Sequence, residues 1–199
     1  MFPDLLRDDV FRLETRRLWL RWPRAADAAT IARLAGDREV AEMTSRIPHP
    51  YPPGSAAEFV LMSRAANHEG RSLTLVLSPK ARPNEALGCI DLAAVGPDEL
   101  RLGYWLGRPF WSQGLMSEAA IALIDITLRV SEAESIRAAA LKANPASRRV
   151  LEKCGFVSRG EGVIPAPARG GAMNAEQFWL TRGFVRSAGT SDSAVKKCA

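Results

Sequence analysis

A mixed α/β layered fold is what this sequence predicts, and three features carry the prediction. Period-two apolar runs alternate irregularly with stretches of helical spacing. The order is strand, two helices, three strands, helix, strand, helix, two strands, which is not regular βαβ alternation. The 199 residues, 47% hydrophobic and 25% charged, suit one folded domain with a sizeable core. The strongest strand also runs through a glycine-punctuated turn directly into a helix.

Taken in order, TRRLWLRW at 15–22 sets Leu18, Leu20 and Trp22 against Arg17, Trp19 and Arg21, the alternation of a half-buried strand. Pro23 suits a first helical turn, and Arg24 to Leu34 carries Ala28, Ile31, Ala32 and Leu34 before Gly36. IPHPYPPG at 47–54 is too proline-rich for anything but loop. A second helix from Ser55 to His68 follows, on Ala56, Phe59, Val60, Met62 and Ser63. Leu73, Leu75 and Leu77 then alternate, SPKARPNEA turns, and LGCIDLAAV returns as the other half of a hairpin. LRLGYWLG places Leu100, Leu102, Tyr104 and Leu106 on one side. Beyond Gly114, Ala120, Leu123, Ile124, Thr127 and Leu128 share a helix face. IRAAAL is a short strand, although its alanines have little β-propensity. Asn144, Pro145 and Gly155 bracket a helix as N-cap, first residue and terminator. Phe156–Arg159 and Gln177–Thr181 read as strands separated by the loop GVIPAPARGGA. The expected boundaries are an N-terminal extension at 1–13, one domain at 14–184, and a disordered polar tail at 185–199.

Composition excludes several classes. Cys89, Cys154 and Cys198 are odd in number, far apart and without CxxC spacing, so neither a disulfide framework nor a zinc cluster is expected, and a cytoplasmic location fits. No run of apolar residues is long enough to span a bilayer, and MFPDLLRDDVF does not read as a signal peptide. With only His49 and His68, no metal site is expected. GxSxG, GxxxxGK[ST] and GxGxxG after a strand are all absent.

The chemistry concentrates in LGYWLGRPFWSQGLMSEAAIALI. A strand entering a helix this way leaves several main-chain N–H groups unpaired at the helix start, where the dipole adds about half a positive charge. Gln113, Gly114, Leu115, Met116 and Ser117 would supply those amides to an anion; a plain loop with a helix cap is the alternative.

This stretch resembles the acetyl-coenzyme A loop of the GNAT N-acetyltransferases, in the branch similar to the ribosomal-protein acetyltransferases RimJ and RimL. The resemblance begins at LETRRLWLR, continues through LGYWLGRPFWSQGLMSEAA, includes NPASRRVLEKCGF, and runs to Trp179. It implies a central mixed sheet of about seven strands with helices on both faces. The family's fourth and fifth strands, here LRLGYWL and IRAAAL, would splay into a V that receives the pantetheine arm of acetyl-CoA. It further implies that Trp105 and Leu106 bond that arm, with Leu106 giving a main-chain contact to the thioester oxygen, and that Gln113 to Ser117 hold the pyrophosphate. Asn144 matches a residue that bonds the arm, although a helix cap is the rival reading. Ser147 matches one that protonates the departing thiolate, or else is a surface hydroxyl. No metal is implied.

Two positions depart from the family pattern: Met116 ends the loop motif, and Arg101 stands where the branch often has Glu. The general base is therefore unassigned, with Asp91, Glu42 and His49 as alternatives. An α-amine, with a pKa of about 7.7–8.0, needs less help to lose its proton than a lysine at about 10.4. The expected reaction is direct acetyl transfer from acetyl-CoA to a primary amine, a protein or peptide N-terminus favoured and a small-molecule amine as the alternative. The cysteines lie away from the expected cofactor sulfur, which argues against an acyl-enzyme. The rival classes are a non-catalytic CoA-sensing module of the same fold and, further off, a basic nucleic-acid-binding domain. The net charge of +5 bears on the last. Residues 1–141 carry 17 basic and 18 acidic side chains, whereas the excess gathers at 142–169 and beyond 183. That distribution suits a phosphorylated small molecule better than a polymer. Acetyl-CoA or CoA and an amine are thus the expected partners, with no nucleic acid or membrane, for a monomer or homodimer.

Overall fold

A computed structural model describes residues 11–183. The expected tail, and Cys198 with it, lies outside the described residues, as does most of the N-terminal extension. Eight strands form one sheet: β1 (Arg12–Glu14), β2 (Leu18–Arg21), β3 (Ser72–Pro79), β4 (Gly88–Ala94), β5 (Glu99–Leu106), β6 (Ser135–Leu141), β7 (Val157–Ala166) and β8 (Gly171–Thr181). Five helices accompany it: α1 (Ala28–Ala35), α2 (Arg38–Glu42), α3 (Ser55–His68), α4 (Leu115–Val130) and α5 (Pro145–Lys153). The strand order is β1-β2-β3-β4-β5-β6-β8-β7, antiparallel throughout except between β5 and β6.

The period-two patterns decide which face each strand turns to which layer. Leu73, Leu75, Leu77, Leu100, Leu102, Ile136, Ala138, Phe178 and Leu180 bury against Leu115, Ala119, Leu123 and Leu151, so α4 and α5 cover one face. Val76, Cys89 and the partly buried Trp105 pack with Ile31, Ala56 and Val60, so α1 and α3 cover the other. Two covered faces explain why Thr74 and Val76 are as buried as the leucines between which they alternate. Asn67 fastens α3 to β3, its Nδ2 donating to Thr74 C=O at 2.9 Å and its Oδ1 accepting from Thr74 N–H at 2.7 Å. Arg21 and Asp27, both almost fully buried, form a two-pronged pair at 2.8 and 2.7 Å, which lets a carboxylate sit in the core beneath α1.

Three details differ from the sequence reading. The expected first strand at 15–22 shrinks to β2, because Thr15 N–H and its hydroxyl both bond Leu18 C=O and close a turn at its start, and a further short strand, β1, precedes it. A further short helix, α2, follows α1, capped by the Asp37 carboxylate on Glu39 N–H at 2.9 Å. The stretch GVIPAPARGGA is not loop but the end of a long β7–β8 hairpin turning at Pro167–Arg169. Pro165 is tolerated there because β7 is the last strand of the sheet, so no outer neighbour needs its N–H.

Candidate active site

The parallel pair β5–β6 is in register only at Glu99–Ser135, Leu100–Ile136 and Arg101–Arg137. Beyond that apex the two strands diverge, leaving a V in mid-sheet. Which main-chain groups face it follows from the pairing on either side. Val95 N–H bonds Glu99 C=O and Gly107 N–H bonds Leu87 C=O, so odd-numbered residues of β5 point their main chain at β4. Tyr104 and Leu106 therefore point theirs into the V, whereas Trp105 contributes to the pairing with β4. On β6, the bond from Arg182 N–H to Glu134 C=O sets the opposite parity, so Ala139 and Leu141 face the V. Two of these groups are already engaged: Trp111 Nε1 donates to Leu106 C=O at 2.7 Å, and Asn144 N–H donates to Leu141 C=O at 2.8 Å. The remaining groups form an internal sheet edge, able to pair with an extended amide-bearing chain.

At the open end of the V, Ser112 (φ 60) and Gly114 (φ 70) both adopt the left-handed conformation just before α4. Such a turn aims successive N–H groups at one point, and α4 adds its N-terminal amides at Leu115 to Ser117. A Cβ on Gly114 would approach nothing closer than Arg17 Nη2 at 3.7 Å, so glycine is needed there for its φ and not for space. The turn is braced from β2. Glu118 Oε1 accepts from Thr15 Oγ1 and from Arg17 N–H, and Oε2 from Arg17 Nε, each at 2.7 Å. Arg17 Nη1 reaches on to Gln113 C=O at 3.0 Å. Burial would raise the Glu118 carboxyl, but these three donors outweigh it and hold its pKa below the ordinary value.

A cleft of about 1760 Å³ joins the V to the space under α1 and α3. Of the residues expected in the site, Trp105, Leu106, Gly114, Leu115, Met116, Ser117, Asn144 and Ser147 line it. Gln113 does not: it is exposed, with its side chain turned to Pro109 C=O at 3.0 Å. The Asn144 side chain caps α5, accepting from Ser147 N–H at 3.0 Å and donating to Met43 C=O at 3.4 Å. Met116 needs no small residue's space, since its side chain packs into the core. Among the alternative bases only Asp91 lines the cleft. Glu42 is exposed and paired with Arg38, and His49 is exposed with Nδ1 3.2 Å from Gly36 C=O.

Asp91 is the only carboxylate among the lining residues, on the α1–α3 face one step from the apex. Its cross-strand partner is Gly103, where a Cβ would stand 2.5 Å from Asp91 Oδ1, so the glycine of LRLGYW makes room for this carboxylate. Burial raises the Asp91 pKa, and Arg101 and then Arg46 draw it partly back. Arg101 Nη2 lies 3.7 Å from Asp91 Oδ2.

Sequence reasoning did not single out the Tyr104 side chain. It points to the α5 face, where its hydroxyl lies 2.9 Å from Ser147 Oγ and donates to Ser147 C=O at 3.1 Å. Burial, only partly offset by the bond to Ser147, raises its pKa, so it is a protonated donor at neutral pH. The period of two shows which face Tyr104 takes, but its partner lies on another element. Burial likewise raises the Cys89 thiol, and that of Cys154 to about 11, so neither is a thiolate near neutrality.

The β7–β8 hairpin closes the cleft from above. Ala168 N–H donates to Ser45 C=O at 3.3 Å and Arg169 Nη2 to Ile47 C=O at 3.0 Å, tying the hairpin tip to the α2–α3 loop. Among the described residues no group of three His, Cys, Asp or Glu side chains could hold a metal ion, and no helix is long and apolar enough to cross a membrane.

Comparison with known proteins places this geometry. No curated protein matches the sequence. Similar solved structures include a ribosomal-protein-S5-alanine acetyltransferase from Vibrio fischeri, at 20% identity and TM-score 0.73 over 86% of this chain and 97% of that one. Another is the spermidine N-acetyltransferase from Vibrio cholerae in complex with CoA and spermine (16%, TM-score 0.69, 84% and 96%). A third is the microcin C7 self-immunity acetyltransferase MccE in complex with acetyl-CoA and AMP (16%, TM-score 0.71, 83% and 93%). At such identities these likenesses speak for the fold alone. The acetyltransferase (GNAT) domain model, however, matches residues 17–157, most of the sequence, and the chain belongs to that family.

Proposed function

We propose that this protein is an acetyl-CoA-dependent N-acetyltransferase that moves the acetyl group directly from the thioester to a primary amine. The observation that carries the reading is the V between β5 and β6, open at the helix-start amides of α4 and ending at Asp91 and Arg101. From Leu106 to Leu102 the strand spans about 14 Å, the scale of an extended arm laid from the amides to the apex. The amides at Gly114 to Ser117 hold the pyrophosphate, and the V-facing N–H groups of Tyr104 and Leu106 bond the arm and polarise the thioester carbonyl. In the transfer, the neutral amine forms its N–C bond as the C–S bond breaks. The ammonium proton passes to Asp91, directly or through water, and the leaving thiolate takes a proton from the Tyr104–Ser147 hydroxyl pair. Neither described thiol lies on the V-facing backbone and burial raises the pKa of both, so among the described residues no thiolate is at hand to form an acyl-enzyme. An N-terminal α-amine is the favoured acceptor, because its pKa leaves a usable neutral fraction. Acetyl-CoA titrated calorimetrically should bind with a Kd of tens of micromolar or tighter. CoA release should then require an added amine. Failure to bind removes the reading, and binding without turnover on any amine supports a sensor instead.

A further inference from the structure

The cleft is strongly cationic around the apex. Arg101 and Arg137 face each other across the β5–β6 register, and Arg46 enters from the α2–α3 loop. Among the described residues none of these three guanidiniums hydrogen-bonds to protein, and Arg101 Nε is buried without a partner. Arg101 and Arg137 are held only in long ion pairs, to Asp91 at 3.7 Å and to Glu99 at 3.9 Å, both beyond hydrogen-bond reach. Arg71, which also lines the cleft, is paired with Glu69, while Arg149 and Lys153 reach it from α5. Gathering like charges in a partly desolvated cleft is costly unless the site is built for an anion, and planar guanidinium forks match carboxylate or phosphate oxygens.

Resting on the acetyltransferase reading, we infer that the acceptor is an amine whose nitrogen lies two or three bonds from a carboxylate or phosphate, an amino-acid-like head group. Its ammonium pairs with Asp91 while its anionic group is forked by Arg101, with Arg46 and Arg137 beside it. The 3.7 Å between Asp91 Oδ2 and Arg101 Nη2 sets the scale. One molecule can bond both only if its opposite charges are close together. A polyamine would instead meet three guanidiniums for one carboxylate.

The test compares matched acceptors on the full-length protein, with CoA release as the readout: glycine against glycinamide, O-phosphoethanolamine against ethanolamine, and Asp-Ala-Ala-amide against Ala-Ala-Ala-amide. The anionic member of at least one pair should exceed its neutral counterpart tenfold or more in kcat/KM, and the pair that does so tells a free head group from a peptide side chain. Arg101→Gln and Arg46→Gln should each lower that ratio at least fivefold, mainly through KM, while the acetyl-CoA Kd stays within twofold. If neutral amines or spermidine match the anionic ones, the inference is wrong. The same holds if the Arg variants lose all acceptors equally while still binding acetyl-CoA. If the parent does not bind acetyl-CoA, it is the underlying reading that fails.

Discussion

Glu118→Gln separates bracing of the turn before α4 from contact with any ligand. The carboxylate accepts three hydrogen bonds at 2.7 Å, two on Oε1 and one on Oε2 from Arg17 Nε. Glutamine keeps an acceptor for Thr15 and the Arg17 N–H, without charge assistance, but turns an NH2 toward the Arg17 guanidinium. Charged hydrogen bonds stabilise by about 1.5–3 kcal/mol each. Arg17 is 38% exposed, so its ion-pair share is screened, and about 2 kcal/mol is the expected net loss. For a domain of this size that is a fall of about 4–8 °C in Tm. Freed from Glu118, Arg17 no longer fixes Gln113 C=O, so the acetyl-CoA Kd should weaken severalfold although Glu118 does not line the cleft. The effect has a pH signature. The folded pKa of Glu118 lies below its unfolded value, so its contribution is complete above the unfolded value and is lost as pH falls through the folded one. The gap in Tm between parent and variant should therefore shrink on acidification through that window. Scanning fluorimetry from pH 7 downward and calorimetric titration of acetyl-CoA measure both effects. A variant within about 1 °C of the parent at pH 7, with unchanged Kd, would refute the bracing argument.

Gly114→Ala should cost about 1 kcal/mol from its left-handed φ alone and weaken acetyl-CoA binding by displacing the α4 amides, read by the same two assays. Tyr104→Phe should lower kcat about tenfold or more with little change in acetyl-CoA Kd, whereas equal turnover would remove the hydroxyl pair from proton delivery. Asp91→Asn should abolish the acidic limb of the kcat/KM profile, a limb that in the parent sits above the ordinary Asp range because burial raises this carboxyl. Cys89→Ser and Cys154→Ala should retain turnover, and intact mass after incubation with acetyl-CoA alone should show no acetyl adduct on the parent.

Much of the fold is legible in the sequence because its cues are local. A period of two assigns Leu100, Leu102, Tyr104 and Leu106 to one face, and Asn-Pro followed by Gly brackets α5, because each depends only on near neighbours along the chain. The β7–β8 hairpin is illegible for the complementary reason. Its glycines and prolines read as loop, and only the position of β7 at the sheet edge makes a proline in that strand acceptable. The family motifs likewise point to the start of α4 and to Asn144, since the backbone amides of a strand–glycine–helix junction are a local construction.

What the sequence by itself determined is thus the layering, the order of most elements and the amide-rich helix start at Gln113 to Ser117. Which groups face the V was decided by strand pairing: the bonds at Val95–Glu99 and Leu87–Gly107 turn Tyr104 and Leu106 inward and leave Trp105 to β4. The carboxylate of the site was decided the same way. Asp91 is one of three candidate bases in the sequence, and only the pairing of β4 with β5 sets it opposite Gly103 and beside Arg101. The apex, where Arg46, Arg101 and Arg137 converge, draws on a loop and two strands from three separate stretches of the chain. Electrostatic fields act through space, so a charge cluster assembled from distant segments leaves no spacing in the chain by which to recognise it.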